Sequence, residues 1–238
     1  MRRDGYLVVR RFLPESDVLA IGHWLDELIA LEEKPGRHWV YREESRQKAG
    51  VQLVQRIEKF CEHHSGLNDF VRHGAPAQWS ESLLEGAVVL FKEKINFKMP
   101  GGGGFEAHQD QQAGWSRYAP HFITAMLTID PAPVESGCLE IEAGRHRGGM
   151  IGEEWVPLAE KELDLRPIPT EPGDAIFLDS FVPHASRPNF TASPRRILFL
   201  TYNLAGHGDH RLRYYHDKHA SFPPDIERDI SKTYVFRV

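Results

Sequence analysis

The stretch FKMPGGGGFEAHQD ends in His108-Gln109-Asp110, an imidazole and a carboxylate two residues apart. In an extended strand, residues i and i+2 point to one face, so both side chains can reach one ion. The triplet alone is weak. With 13 histidines in the chain it is close to a chance event, and a second copy exists at His207-Gly208-Asp209. Context separates the two. His184 lies in GDAIFLDSFVPHASRPN, where an apolar run meets a polar turn. Two histidines and one carboxylate on neighbouring strands of a barrel form a facial triad that leaves metal positions open. The second copy is followed by His210, His216 and His219 but by no β-type run that would orient them, so these read as solvated helix residues.

The glycine run Gly101–Gly104 does not read as a phosphate cradle. No Gly-Lys-Ser/Thr follows it, and no βαβ context surrounds it. It reads as a flexible turn, a hinge beside the metal-binding strand. Arg195 and Arg196 head the run RRILFLTYN, and strand alternation turns them to opposite faces, so only one can point inward. An arginine there has the fork geometry for bidentate capture of a carboxylate.

These residues need a β scaffold, and the chain supplies one. YLVV reads as a strand and PESDVLAIGHWLDELIALEEKPG as a helix stopped at Pro35-Gly36. Residues 37–50 are polar and read as loop, GVQLVQRIEKF is ambiguous, and two short helices follow. From Ala87 the character changes to short β-type runs divided by turns such as DPAPVESG and TEPGD. Helices first and then many strands, without βαβ alternation, predict a mainly β fold with flanking helices, a sandwich or jelly roll. We expect one domain over 1–238, with a helical part to about 86, a β core at about 87–205 and a helix-and-loop tail at 206–238.

Composition narrows the partners. The 238 residues carry a formal charge of −5, which favours neither nucleic acid nor an acidic membrane. No window approaches the run of about 20 apolar residues that spans a bilayer. Cys61 and Cys138 form no Cys-x-x-Cys pair, which argues against a zinc ribbon and fits a reducing cytoplasm. The N-terminus has no signal-peptide pattern, so a cytoplasmic location is expected. A small-molecule substrate is the expected partner, and the oligomeric state is left open.

HQD, then PHAS, then an arginine eleven residues after that histidine followed by LFLTYN, together with the opening DGYLVVRRFLP, resemble the phytanoyl-CoA dioxygenase family. The resemblance covers nearly the whole chain. It implies a double-stranded β-helix, a hydroxylase using Fe(II), 2-oxoglutarate and O2, and His108, Asp110 and His184 as iron ligands. It also implies Arg195 as the clamp for 2-oxoglutarate, assisted by Ser186, Asn96 and Lys98. Halogenating relatives lack the carboxylate, so Asp110 points to hydroxylation. FKEKINFKMPGGGGFEAHQD and YNLAGHGDHRLRYYHDKHASFPPD resemble the bacterial 2-aminoethylphosphonate hydroxylase-like branch, with betaines, amino acids or natural-product intermediates as alternative substrates. Arg56, Glu58, Lys92, Gln111 and Trp115 are candidates for a zwitterionic substrate, with Trp115 offering a cation–π face. The reading from a different class is a cupin-like metal-binding barrel without oxygenase turnover, which would not need Arg195.

Overall fold

The computed structural model describes residues 1–234. Its chain order is β1 (Tyr6–Val9), α1 (Glu15–Ala30), β2 (Trp39–Glu44), β3 (Gln52–Glu58), α2 (Ser65–His73), α3 (Ala75–Leu84), β4 (Val88–Lys98), β5 (Phe105–His108), β6 (Ile123–Thr128), β7 (Leu139–Ile141), β8 (Arg166–Ile168), β9 (Ala175–Asp179), β10 (His184–Ser186), β11 (Arg195–Leu204) and α4 (Arg211–Ser221). Two sheets result, with strand orders β1-β9-β6-β11-β4-β3-β2 and β5-β10-β7-β8, and each pairing is antiparallel. This is the jelly-roll, double-stranded β-helix arrangement expected from the sequence.

Alternation along the central strands divides the molecule. On β11, Leu198 and Leu200 face outward with Ile95 and Phe97 of β4, onto a core completed by Ile21, Leu25 and Leu28 of α1 and Leu67 and Val71 of α2. The α1 residues fall at i, i+4 and i+7, one stripe of a 3.6-residue period. The opposite face of the same strands carries Arg195, Ile197, Phe199 and Thr201, in register with Lys98, Asn96, Lys94 and Lys92 of β4. That face looks toward the smaller sheet, and the space between them is the cavity. At one end an aromatic cluster of Trp39, Tyr41, Phe91, Trp115, Phe122, Tyr214 and Tyr215 closes it.

Several expectations need correction. The helix ends at Ala30, before Pro35-Gly36. Residues 37–50 are not all loop. Trp39, Val40 and Tyr41 are buried in β2, because pairing with β3 and stacking of Tyr41 on Phe222 outweigh the polar neighbours. The part before residue 87 is therefore mixed rather than helical, since β1, β2 and β3 all join the larger sheet.

The glycine run is packed, not hinged. The N–H groups of Gly101, Gly102 and Gly103 donate to Asn189 O, Met99 O and the Glu43 carboxylate. A Cβ on Gly104 would lie 2.2 Å from Ser186 O, so only glycine lets this crossing run against β10. With the N–H groups of Gly101, Gly102 and Gly103 already engaged by protein, the run offers no anion nest.

Candidate active site

His184 sits directly opposite His108 in the β10–β5 ladder, with ring centroids 4.3 Å apart. Asp110 has left the strand and begins a 3-10 turn at Asp110–Ala113, but Gln109 before it is extended, so the carboxylate still turns to the same side. One donor atom from each of His108, Asp110 and His184 lies within 4.8 Å of the others. Between them, Gln109 points away. Its amide donates to Gly149 O and Phe181 O and its oxygen accepts from Ile151 N, which pins the turn from behind.

The surrounding groups prepare the donors. His108 Nδ1 lies 2.7 Å from Glu106 O, and His184 Nδ1 lies 3.0 Å from Val182 O. A carbonyl can only accept, so each Nδ1 carries the proton and each Nε2 keeps its lone pair for a metal. Burial holds both imidazoles below their ordinary range, His108 further lowered by His184. Both are therefore neutral, the ligating form. Burial alone would raise Asp110, but the basic groups around it, His184, Lys94 and His108, outweigh it and hold the carboxyl below its ordinary range; with both imidazoles neutral, Lys94 is the charged member of that group. Asp110 Oδ2 also accepts from Thr124 Oγ1 at 3.1 Å, and Thr124 is tied to Thr201. Two neutral imidazoles and one carboxylate suit a borderline divalent metal such as Fe(II).

At the far end of β11, Arg195 is buried and Arg196 is not. Arg196 pairs outward with Asp130 and Asp26. The Arg195 guanidinium donates to Gly137 O, its Nε has no partner, and no carboxylate pairs with it among the described residues. Burial lowers it to about 10. Lys98, beside it in register, donates to Ser186 Oγ, Gly137 O and Arg187 O and is pushed down to about 6 by burial and by Arg195. Both cations converge on Gly137, which has φ +70° and would place a Cβ 1.9 Å from Arg187 O. Asn96 Oδ1 is likewise buried without a partner. At neutral pH Arg195 is therefore the charged member of this pair and Lys98 is largely the neutral amine, so the charge available to a bound carboxylate here is that of Arg195.

A cavity of about 1170 Å³ joins these groups. His108, Asp110, His184, Ser186, Asn96, Arg195, Arg56, Glu58, Lys92 and Trp115 all line it. Lys98 lies behind Ser186 rather than on the wall, so its contact with a bound molecule would run through that hydroxyl. Gln111 is corrected. It is fully buried, bonds to Ser116 and Ala119, and does not line the cavity. Trp115 lines the wall, but Lys92 Nζ stands 5.6 Å from its ring, so that face is already taken by a cation. His207, His216 and His219 are exposed and join no metal-type cluster among the described residues.

Sequence reasoning missed Lys94, Tyr214 and Lys218 on the same wall. The run Lys92, Lys94, Asn96, Lys98 has strict period two, which puts all four on one strand face, and that signal was available. Tyr214 and Lys218 come from α4, and nothing local in their sequence reports that this helix packs across the cavity end.

The fold and the donor set define a non-haem iron, 2-oxoglutarate-dependent dioxygenase. The model of the phytanoyl-CoA dioxygenase (PhyH) family matches residues 1–197, and the chain belongs to that family. It is 38% identical over 236 residues to a 2-aminoethylphosphonate dioxygenase of an uncultured bacterium, covering 97% of this chain and 89% of that protein. It is 36% identical to a methylphosphonate hydroxylase of Gimesia maris, covering 92% and 84%. The crystal structure of EctD from S. alaskensis with 2-oxoglutarate and 5-hydroxyectoine shares the fold, with TM-score 0.72 at 20% identity over 86% of this chain and 74% of that one. No helix among the described residues is long and apolar enough to cross a membrane.

Proposed function

We propose that this dioxygenase hydroxylates a small organophosphonate, an aminoalkylphosphonate or a simple alkylphosphonate, at a carbon next to phosphorus. His108 and His184, through Nε2, and Asp110 hold the iron. Arg195 receives the distal carboxylate of 2-oxoglutarate, with the Ser186 hydroxyl and Asn96 beside it and Lys98 fixing Ser186 from behind. Bound iron supplies O2 activation coupled to oxidative decarboxylation of 2-oxoglutarate to succinate and CO2, and with it the oxidising power to replace a C–H bond by C–OH.

The chain's own part is placement. The Nδ1–carbonyl contacts fix both imidazole planes, and Thr124 fixes one carboxylate oxygen, so the donors are preorganised. Arg195 sets which end of the co-substrate reaches the donors. The aromatic cluster closes the cavity end against water, which strengthens each charge contact inside. The observation that carries the reading is the pairing of the three-donor set with a buried Arg195 that faces no carboxylate, in one cavity. The two phosphonate-acting relatives support the substrate class, as does a substrate wall richer in cations than anions. A cupin-like binding protein has no use for the Arg195 site.

The test is aerobic incubation with Fe(II), 2-oxoglutarate and 2-aminoethylphosphonate or methylphosphonate. Succinate should form well above the substrate-free rate, and the product should gain one oxygen by mass. If only a betaine or a free amino acid is hydroxylated, the substrate class is wrong while the oxygenase stands.

A further inference from the structure

The co-substrate and the metal leave a second group of cations unexplained. Lys92 and Lys94 lie on the inward face of β4, on the cavity wall beside the donor set. Neither ammonium makes a hydrogen bond or an ion pair among the described residues. Lys92 stands over Trp115 and Tyr214, at 5.6 and 5.5 Å, and Lys94 stands over Phe199 and Phe105, at 4.7 and 5.7 Å. Their neighbours behave differently. Lys218 and Arg56 are both tied to Glu58, which spends its two carboxylate oxygens on them. The β4–β11 ladder shifts register between Thr201 and Tyr202, where Lys92 and Leu90 are the partners and Phe91 is the extra residue. Such a bulge re-aims side chains, and here both Phe91 and Lys92 reach the aromatic end of the cavity.

Burial and the neighbouring Lys92 push Lys94 down to about 7, so two full charges side by side on this wall are resisted until an anion arrives, and a hydrophobic residue would pack there without that cost. The arrangement makes sense for a ligand with more than one negative charge. A small recess of about 20 Å³, lined by both lysines with Asp110, His184, Thr124 and Thr201, joins them to the donor set. We propose that Lys92 and Lys94 form the seat of the substrate's tetrahedral dianionic head group and set the preference for a dianion over a monoanion. For the identity of that group as a phosphonate, the proposal rests on the function given above. Seated there, the head group brings the adjoining carbon toward His108, Asp110 and His184. Cation–π contacts with four rings hold the two ammoniums in place before the anion arrives.

The experiment is calorimetric titration of anaerobic enzyme, loaded with Fe(II) and 2-oxoglutarate and buffered above the second ionisation of methylphosphonate, using methylphosphonate and methanesulfonate as dianionic and monoanionic probes of one shape. Lys92→Met, Lys94→Met and Lys94→Gln are compared with the wild type and with the exposed-site control Lys48→Met. Each cavity variant should weaken methylphosphonate by about tenfold to a hundredfold, the value of one charge-assisted contact, with the affinity for 2-oxoglutarate changed less than about twofold. The wild type should favour methylphosphonate over methanesulfonate by about tenfold or more, and the variants should lose that preference. Thermal midpoints without ligand should hold or rise in the cavity variants. A fall in both Lys94 variants would make the lysine a structural group and overturn the proposal. So would a wild type indifferent to the probe's charge, or variants that bind methylphosphonate as the wild type does. If phosphonate-dependent succinate release persists in that last case, the seat is elsewhere and the proposed function survives. If the variants lose binding but the wild type turns over no phosphonate, the seat stands and the reaction assignment falls.

Discussion

Arg195→Met separates a group placed for a ligand from one placed for the fold. The methionine keeps most of the aliphatic stem and deletes the charge. In the ligand-free protein Arg195 is 2% exposed, faces no carboxylate, and is lowered from the ordinary arginine range to about 10 by burial. At roughly 1.4 kcal/mol per unit that depression corresponds to about 3 kcal/mol of opposition to folding. The group is charged in both states at any pH below about 10, so the cost is constant across the working range and stability acquires no slope from it there. Gly137 O keeps its second donor, Lys98 Nζ, after the change. We therefore expect ligand-free Arg195→Met to be more stable than the wild type, by an amount on the order of 1–3 kcal/mol. The affinity for 2-oxoglutarate should move the other way. One charge-assisted contact is worth about 1.5–3 kcal/mol, which is a loss of about tenfold to more than a hundredfold. Arg196→Met is the control. It breaks the pairs with Asp130 and Asp26, and should cost about 1 kcal/mol of stability without moving 2-oxoglutarate binding. Urea unfolding of the ligand-free variants and anaerobic titration with 2-oxoglutarate read both quantities. An Arg195→Met protein that is less stable yet binds 2-oxoglutarate normally would refute the reasoning, as would the opposite pattern at Arg196.

His108→Ala, Asp110→Ala and His184→Ala should each abolish turnover and strongly weaken Fe(II) binding with circular dichroism unchanged, whereas His207→Ala and Asp209→Ala should leave both intact. Glu58→Gln leaves Arg56 and Lys218 sharing a neutral amide in a buried site, and should cost about 3–5 kcal/mol in urea unfolding. Lys98 has a folded-state value of about 6 against 10.5 unfolded, so the unfolded chain binds more protons between those limits. Stability of the ligand-free protein should therefore rise with pH above about 6, by at most roughly 1.4 kcal/mol per unit from this group. A Lys98→Met variant should lose this group's share of the slope, most clearly between about 6 and 7, because Lys94, lowered to about 7, adds a slope of its own only above that; an unchanged slope between those limits would place its origin elsewhere.

What could be read in the sequence follows from how far each signal reaches along the chain. His108 and Asp110 are local to one strand and its turn, and His184 stands at the end of an apolar run, so pattern and order located all three. The facing of Arg195 and Arg196 needed only alternation. Gln111 failed because it lies inside the 3-10 turn that Asp110 opens, where its side chain folds back to Ser116 and Ala119, and strand periodicity says nothing once the strand has ended. Trp115 was placed correctly on the wall, but its ring partner Lys92 comes from a strand more than twenty residues earlier, and no local pattern reports that a face is already taken. β2 was missed because composition averaged three buried residues, Trp39, Val40 and Tyr41, with a polar flank. The glycines of residues 101–104 look flexible in a string of letters. Their neighbours, Glu43, Met99, Ser186 and Asn189, come from three separate segments, and only the folded chain shows them packed.

The cavity also explains why the polar wall and the helix beside it belong together. Glu93 sits between Lys92 and Lys94 but faces the other way, into a fully buried network with Arg211, Tyr215 and the Cys61 amide. Arg211 is the first residue of α4, and it also reaches Glu62. One turn and two turns on, Tyr214 and Lys218 enter the cavity, Tyr214 under Lys92 and Lys218 against Glu58. The strand that carries the two cavity lysines thus anchors, through its intervening glutamate, the helix that supplies their aromatic support. Because a buried charge left without its partner is costly, α4 cannot leave β4 without exposing Glu93 and freeing Arg211. The substrate end of the cavity is therefore a fixed wall, formed before any ligand binds, and its selectivity resides in the charges it presents.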